Sequence, residues 1–456
     1  MYDVAIIGAG PAGIFSALEI MKNKPEWKVA VFEKGPQIAK RRCLVREGQK
    51  CPPCKTCNLL CGWGGAGAFS DGKLTLSSNV GGHLHDFMDN KTLNDLIDYT
   101  DKVYLEYGAT DIVHGTDSEA VSEISRKARL AELKLIHSPI RHMGSDRSLE
   151  VLKGMYEGLK DKIEVFPHEM ANSLIIENEE VKGLITAKNR IINAKYVIVS
   201  PGREGANWLT EEFGKHNIGF ENNAVDIGVR IELPAMVMEE LTRKLYEVKL
   251  IYNAPTFSDD VRTFCMNPYG EVVCENYSGI TTVNGHSYAN KKSEYTNFAL
   301  LVSNKFTEPF KEPIAYGQHI ARLANMLAGG VLVQRFGDLI AGRRSTPAKI
   351  ADGIVNPTFK DAIPGDLSLV LPHRHLTSLT EMIYALDKIA PGVASRYTLL
   401  YGIEVKFYSA RVKLSKELET DGIKNLFAIG DGAGVTRGLI QASASGVYAA
   451  KIICSR

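Results

Sequence analysis

The chain has 456 residues, of which 45% are hydrophobic and 23% charged, with a formal net charge of +1 at pH 7. This length predicts two or three domains, and the composition is typical of a globular protein. The near-neutral charge argues against nucleic-acid binding through a broadly basic surface, and no apolar run reaches the roughly 18 residues that a membrane span requires.

The first predicted element is a strand, glycine turn, helix and strand unit between Tyr2 and Glu33. The first glycine of the turn would make the bend, the second would admit a pyrophosphate, and the third would let the helix pack on the strand. The helix N-terminus would attract phosphates, and Glu33 would accept hydrogen bonds from a ribose. The unit predicts dinucleotide binding without distinguishing FAD from NAD. The expected cofactor residues are Gly8, Gly10, Pro11, Ala12, Gly13, Glu33 and Lys34.

Three basic residues, Lys40, Arg41 and Arg42, follow this unit. A basic run is often a solvated surface. This one leaves the strand beside the expected pyrophosphate site, so a phosphate contact, assigned to Arg42, is the other interpretation.

Five of the eight cysteines lie within nineteen residues, which is not how a large secreted protein spaces its disulfides. Four of them follow the pattern C-x2-C-x2-C-x3-C: Cys51, Cys54, Cys57 and Cys61. This is the spacing of a bacterial ferredoxin run, so one hypothesis is an iron–sulfur cluster whose fourth ligand is Cys61 or Cys43. Structural zinc and a thiol loop without metal are the alternatives. A strand is predicted at the N-terminus, leaving no room for a signal peptide, so we expect a cytoplasmic protein.

The middle of the first half changes from helices to strands. Helices are predicted at 91–108, 118–134 and 149–159, and strands at 163–166, 171–177, 181–186 and 194–200. The last strand enters a glycine turn at Gly202, which is also an expected cofactor residue. Flavoproteins with two dinucleotide folds place such an excursion and return strand between the halves of their FAD domain.

The end of the chain decides between FAD and NAD. A strand leads into Gly430-Asp431-Gly432-Ala433-Gly434, and a helix follows from about Gly438. Asp431 would bond the ribityl chain or its neighbouring phosphate, and the helix dipole would stabilise negative charge on reduced flavin. With the N-terminal unit and the return strand, this second signature predicts FAD. The expected FAD residues here are Gly430, Asp431, Gly438 and Leu439.

Motifs spread over nearly the whole chain carry a family resemblance. They are residues 62–73, 142–146, 263–270, 365–372 and the segment from 402 to 446. On these motifs, of which the first and last are specific, the chain resembles the uncharacterised bacterial and archaeal FAD-dependent dehydrogenases, relatives of the flavoproteins with the glutathione-reductase FAD fold. The resemblance implies an FAD oxidoreductase and no particular substrate.

The predicted fold class is α/β, with a Rossmann-type FAD-binding domain of the glutathione-reductase-like kind assembled from both ends of the chain. Residues 1–223, including the cysteine-rich loop 43–73, would form its first part, and residues 346–456 its second. Residues 224–345 would form an inserted mixed α/β substrate domain.

In the resembling motif 62–73, small residues at Gly65, Ala66 and Gly67 would let backbone lie against the isoalloxazine ring. Lys73 could bond flavin N5 or a substrate anion, or could be a solvated lysine beside an Asp-Gly turn.

Two further residues are catalytic candidates. Arg437 precedes the helix expected to face the flavin and could hold an anionic substrate or flavin O2. His375 lies in a segment expected near the flavin. A structural or solvated role is the alternative for each.

We therefore predict an oxidoreductase that transfers hydride or electrons through flavin N5 to or from a small organic substrate. No second glycine fingerprint with a following acid occurs, so electrons would come from transient NAD(P)H, a protein donor or the cysteine cluster. We expect no membrane or nucleic-acid partner. A flavin monooxygenase, a tRNA-modifying flavoprotein and an electron-transfer module for a partner protein are the alternatives.

Overall fold

The computed structural model describes residues 1–43, 54, 56–221, 223–277, 279–287, 292–304, 306, 310 and 312–456. The described chain forms two compact units. Unit 1 comprises residues 1–112, 141–223 and 409–456, and unit 2 comprises residues 113–140 and 224–408. The predicted α/β fold class is confirmed, because helices alternate with mixed sheets along the chain. Cys51 lies outside the described residues.

The helices are α1 (Pro11–Asn23), α2 (Asn90–Glu106), α3 (Ser118–Leu130), α4 (Gly144–Leu159), α5 (Ala206–Lys215), α6 (Ala235–Leu245), α7 (Pro313–Ala328), α8 (Phe336–Ile340), α9 (Pro347–Ala351), α10 (His373–Asp387) and α11 (Leu439–Ser455). In the described part of the chain, none of them is long and apolar enough to cross a membrane.

The strands of the first half are β1 (Tyr2–Ile7), β2 (Val29–Glu33), β3 (Lys73–Thr75), β4 (Val113–His114), β5 (Leu133–Leu135), β6 (Ile140–His142), β7 (Glu164–Pro167), β8 (Ala171–Glu177), β9 (Glu180–Thr186), β10 (Ile191–Val199) and β11 (Phe220–Glu221). Those of the second half are β12 (Val225–Pro234), β13 (Leu250–Ala254), β14 (Asp259–Asn267), β15 (Glu271–Tyr277), β16 (Ile280–His286), β17 (Tyr295–Asn304), β18 (Leu332–Arg335), β19 (Ile363–Pro364), β20 (Leu399–Lys406), β21 (Arg411–Val412) and β22 (Leu426–Ala428).

Unit 1 is built on a sheet with the strand order β7-β2-β1-β10-β9-β8, and β22 also pairs with β10. The pairs among β7, β2, β1, β10 and β22 are parallel, whereas β8, β9 and the start of β10 pair antiparallel. β10 belongs to both the parallel and the antiparallel part of the sheet, and it is the predicted return strand. Ligands of open parallel sheets bind beyond the carboxyl ends of the strands, which here are Ile7, Glu33, Val199 and Ala428.

Helices α1 and α11 pack directly against each other in unit 1. Ser16 Oγ donates a hydrogen bond to the Gly446 carbonyl at 3.1 Å, although the two residues are 430 positions apart. A Cβ on Gly446 would lie 2.1 Å from the Ala12 carbonyl oxygen, so glycine is required for this close approach. The two ends of the chain are thereby joined in one unit.

Unit 2 is built on an eight-stranded sheet with the order β19-β18-β20-β12-β17-β14-β13-β5. Side chains along the central β12 alternate between its two faces. Ile227 and Ile231 belong to an apolar core shared with α6, α7 and α10. Asp226, Arg230 and Glu232 occupy the other face and are also buried. Along β12, one face is therefore apolar and the other carries buried charge.

Candidate functional site

The glycine turn after β1 leaves space at the N-terminus of α1. Gly8 has a φ of +97°, and a Cβ there would lie 2.2 Å from the Ser200 carbonyl oxygen, so only glycine fits. A Cβ on Gly10, in contrast, would meet no atom within 4 Å. Gly10 is the N-cap of α1 and provides no side-chain cap, so a bound anion could satisfy the first N–H groups of the helix.

Glu33 ends β2 and is 8% exposed. Its Oε1 accepts hydrogen bonds from the Gly35 and Gly62 N–H groups, both at 2.8 Å, and its Oε2 accepts one from the Ala9 N–H at 2.9 Å. A carboxylate has about four acceptor positions. Among the described residues, one position on Oε2 is thus left for a ribose hydroxyl. Sequence analysis had no signal for the three backbone donors, because they come from separate turns.

Arg41 is the buried member of the basic run. Its guanidinium donates five hydrogen bonds of 2.7 to 3.2 Å to backbone carbonyls of Asn58, Leu59, Trp63 and Gly65. Burial lowers the pKa of Arg41 to about 10. Arg41 therefore holds the loop 58–65 in place, a role that the sequence pattern did not reveal.

The other two cations near this turn are more open to solvent. Arg42 is exposed. The Lys34 ammonium lies 3.1 Å from a carboxylate oxygen of Glu204. A phosphate contact for Arg42 and a cofactor contact for Lys34 stay predictions.

The glycine-rich loop contacts the N-terminal ends of both α1 and α11. The Gly64 N–H donates to the Ala9 carbonyl at 2.7 Å. A Cβ on Gly65 would lie 3.2 Å from Gly10 Cα, and one on Gly67 would lie 2.9 Å from Leu439 Cδ2. Side chains larger than hydrogen would thus push the loop away from both helix ends.

The C-terminal turn lies beside the return strand. A Cβ on Gly432 would lie 2.5 Å from the Gly202 carbonyl oxygen, so this turn and the turn after β10 are in contact. Asp431 Oδ1 accepts hydrogen bonds from Thr436 Oγ1 at 2.7 Å and from the Gly438 N–H at 3.3 Å. Loss of hydration raises the pKa of Asp431. These bonds fix the carboxylate at the start of α11.

Two features at the start of α11 suit a bound polar ring. A Cβ on Gly438 would meet no atom within 4 Å, and α11 has no side-chain cap. Gln441 is fully buried, and its Nε2 donates to the Val80 carbonyl at 2.9 Å. Its Oε1 has no hydrogen-bond partner among the described residues. With the open turn at Gly10, these residues fit a dinucleotide whose two ends reach both helices.

The three catalytic candidates lie in different surroundings. Lys73, in β3, lies 3.1 Å from an Asp71 carboxylate oxygen. Arg437 Nη2 lies 3.1 Å from His83 Nε2 in unit 1. His375 lies in α10 of unit 2, 3% exposed, with neither ring nitrogen bonded within the described chain. Burial lowers the pKa of His375 to about 4. The catalytic roles of all three stay predictions.

The described cysteines of the loop differ in exposure. Cys54 is exposed, Cys57 is partly buried and Cys61 is buried. Burial raises the pKa of the Cys61 thiol to about 12. Within the described chain, the thiols of Cys54, Cys57 and Cys61 are not gathered at metal-ligand distances. The metal site therefore stays a prediction.

Comparison with known proteins finds a family that part of unit 2 resembles. Residues 224–407 match the family described as FAD-dependent protein, C-terminal domain-like. Over these residues the chain is similar to a family of FAD-dependent proteins. The candidate cofactor site in unit 1 and this match in unit 2 thus involve different residues.

One relative matches nearly the whole length of the chain. It is a Clostridium beijerinckii protein described as uncharacterized, 28% identical over 477 residues, covering 99% of this chain and 80% of its own. Solved structures similar to the chain include L-proline dehydrogenase from P. horikoshii, with 14% identity, coverage of 99% and 93%, and a TM-score of 0.43. A formate oxidase structure has 13% identity, coverage of 100% and 98%, and a TM-score of 0.44.

The region that matches the FAD-dependent family contains a buried charge network on the charged face of β12. Arg230 donates to both carboxylate oxygens of Glu404 at 2.8 and 2.9 Å, and neither side chain is exposed. Lys406 lies 3.1 Å from the same carboxylate. Asn297 Oδ1 accepts a further Arg230 bond at 2.8 Å. The alternation of apolar and charged residues in β12 was the available sequence signal for this network.

Proposed function

We propose that the chain binds FAD non-covalently in unit 1 and transfers hydride or electrons between FAD and a small organic substrate. The observation that carries the proposal is the meeting of two uncapped helix N-termini, at Gly10 and Gly438, beside Glu33 and Asp431 in one unit. Bound FAD would supply a two-electron carrier at N5.

The residues of unit 1 would divide the cofactor between them. Glu33 would orient the adenosine ribose through the remaining acceptor position on Oε2, and the N-terminus of α1 would neutralise the pyrophosphate. The N-terminus of α11 would stabilise negative charge on the reduced ring. Lys73, Arg437 and His375 remain the candidates for contacts with substrate.

The first test is the colour and nucleotide content of the purified protein. We expect flavin absorbance, and FAD rather than FMN or NAD after denaturation. Glu33→Gln should weaken FAD binding by roughly tenfold to a hundredfold. Both carboxylate oxygens of Glu33 accept from backbone N–H groups, so the NH₂ group of glutamine would replace an acceptor and place two donors face to face.

The matched control is Glu26→Gln, which changes an exposed acid of unit 1 and should leave FAD affinity unchanged. A colourless protein that takes up no added FAD would refute the proposal. Equal affinity in Glu33→Gln and wild type would show that the ribose site is elsewhere.

We also propose that Cys51, Cys54, Cys57 and Cys61 hold a metal centre, with an iron–sulfur electron relay as the first interpretation and zinc as the second. The C-x2-C-x2-C-x3-C spacing supports the proposal, and the buried Arg41 cation near Cys57 and Cys61 would offset part of the negative charge of metal-bound thiolates. Anaerobic purification followed by iron, sulfide and zinc analysis tests the proposal. Zinc alone would remove the relay, and absence of all three would remove the metal.

Electron donors can be sorted by anaerobic mixing of the flavoprotein with NADH or NADPH. We propose that transient nicotinamide binding or a protein donor supplies electrons, so flavin bleaching by either nucleotide would identify the first route. Oxygen uptake coupled to substrate hydroxylation would instead indicate a monooxygenase.

A further inference from the structure

Arg437 is held by a second segment of unit 1, residues 80–83. The Arg437 N–H donates to the Gly81 carbonyl at 2.6 Å, and the His83 N–H donates to the Val435 carbonyl at 2.8 Å. A Cβ on Gly82 would lie 2.5 Å from Thr436 Cα, so the two backbones touch. The side chains of His83 and Arg437 are thereby fixed next to each other.

The contact between these side chains defines the state of the histidine. Arg437 Nη2 lies 3.1 Å from His83 Nε2, and a guanidinium only donates hydrogen bonds. His83 Nε2 must therefore be the acceptor, which leaves the ring proton of the neutral imidazole on Nδ1. Asp86 Oδ2 lies 4.0 Å from Nδ1, on the side where that proton points. Arg437 Nη2 also donates to Asn223 Oδ1 at 3.3 Å.

The charged groups around His83 keep it neutral. Burial, Arg437 and Arg411 lower the pKa of His83 to about 4, against the opposing effect of Asp86. Asp86 is itself paired with Arg411 at 2.6 Å and with His85 at 3.2 Å. At neutral pH the imidazole is thus an acceptor for Arg437 and does not repel it.

A metal ion does not suit the same group of side chains. His83, His85 and Asp86 have ligand atoms within 4.8 Å of one another. A metal on His83 Nδ1 would require a proton on Nε2, and that proton would face the Arg437 donor. The arrangement therefore fits a hydrogen bond from Arg437 to His83 better than a metal ion.

We propose that His83 is a positioning residue that holds the Arg437 guanidinium at the N-terminal end of α11, where its charge acts on the flavin ring. The inference rests on the proposed FAD site. Arg437 lies directly before Gly438, the N-cap of α11, so its charge adds to the positive end of the helix dipole. Without the His83 acceptor, Arg437 loses one of the side-chain partners of Nη2, and its guanidinium is held less firmly at this end of the helix.

The test measures the flavin itself, in the FAD-loaded protein without substrate. Sulfite adds to oxidised flavin and places negative charge on the ring, so a nearby cation tightens its binding. His83→Ala should weaken sulfite binding roughly tenfold, the effect expected for losing one hydrogen bond to a charged group. For a two-electron couple, the same change lowers the FAD midpoint potential by about 30 mV.

Four variants separate the possible causes. His83→Gln keeps an acceptor oxygen within reach of Arg437 and should restore nearly the wild-type sulfite affinity. Arg437→Ala should lose at least as much affinity as His83→Ala. His319→Ala removes an exposed histidine of α7 and should change nothing. His83→Asn has a shorter acceptor and replaces His83→Ala should that variant not fold.

The outcomes distinguish this inference from the proposed function. Unchanged sulfite affinity and potential in His83→Ala, or in His83→Asn, would refute the positioning role. Unchanged values in Arg437→Ala would refute the placement of the arginine at the ring, while bound FAD would still support the proposed function. A wild-type protein that binds no FAD would overturn both.

Discussion

Arg41 is the residue whose environment most constrains the candidate site. A buried cation is tolerated when its donors are all satisfied, and the five donors of Arg41 are all used on backbone carbonyls of one loop. The same loop supplies the Gly62 N–H to Glu33. The geometry of the expected ribose site therefore depends on Arg41, although its five hydrogen bonds go to the loop and not to Glu33.

We predict that Arg41→Lys weakens FAD retention and lowers the free energy of unfolding by about 2–4 kcal/mol, because an ammonium cannot reach carbonyls on both sides of the loop. Equilibrium unfolding and FAD titration measure the two effects. Lys40→Ala, at the exposed neighbouring position, is the matched control. Arg41→Lys with wild-type FAD affinity would show that the loop holds its shape without the guanidinium.

For single residues, the sequence indicated which ones belong to the candidate site better than which residues they contact. Gly8, Gly13 and Glu33 follow from a local pattern, since turn, helix and strand are adjacent in the chain. His83 and Arg41 act through backbone carbonyls or side chains that only the tertiary structure brings near. No spacing rule connects His83 to Arg437, 354 positions away.

Helix α10 carries a buried histidine near its N-terminal end. It packs its apolar residues, among them Leu379, Met382 and Leu386, into the core of unit 2. His375 is buried near the start of the same helix and has no hydrogen-bond partner in the described part of unit 2. Charging this imidazole would place a buried cation at the end of the helix where the dipole is already positive, and the attraction of Asp259 is outweighed by burial and by the neighbouring Arg374.

We predict that His375→Leu makes unit 2 less sensitive to acid. The folded pKa of His375 is about 4 and its ordinary value is 6.5, so its stabilising effect is complete above pH 6.5 and is lost as the pH falls towards 4. The free energy of unfolding should therefore fall by about 3 kcal/mol between neutral pH and pH 4 through this group. Urea unfolding at several pH values measures it.

The control for this prediction is His319→Leu, at an exposed position on α7. Equal acid sensitivity of His375→Leu and wild type would show that His375 is protonated in the folded protein, or that it is hydrated. Reduced acid sensitivity together with full activity would argue for a structural role.

Element boundaries were predictable where a capping residue marks them. The helix predicted at 91–108 begins at Asn90, because Asp89 accepts a hydrogen bond from the Thr92 N–H. The helix predicted at 118–134 ends at Leu130, and Leu133–Leu135 form β5 instead. A three-residue edge strand pairs with distant β13, and a local pattern does not contain that information.

For the whole molecule, the sequence predicted the fold class from its two dinucleotide signatures and the return strand. The division of the chain into units depends on contacts between distant segments and was less predictable from the sequence. Residues 113–140 and 346–408, assigned from sequence to the FAD domain, belong to unit 2. They pack through β5 and α10 against strands far along the chain, and such packing is decided by tertiary contacts.

We predict that Glu404→Gln destabilises the protein by about 3–5 kcal/mol, because it leaves the buried Arg230 without its paired carboxylate and removes the nearer of two carboxylates beside Lys406. Chemical unfolding followed by fluorescence measures the loss. Glu240→Gln, which breaks an exposed ion pair with Lys127, should cost far less. Similar losses in both variants would mean that solvent reaches the Arg230 network.

The three hydrogen bonds to Glu33 have a consequence for the rate of cofactor uptake. Its carboxylate is fixed by N–H groups from three turns, at Ala9, Gly35 and Gly62, all of which belong to the protein itself. A preorganised acceptor loses little conformational entropy on binding. Apoprotein stripped of FAD should therefore recapture it in a single bimolecular phase, without a slow rearrangement after the encounter.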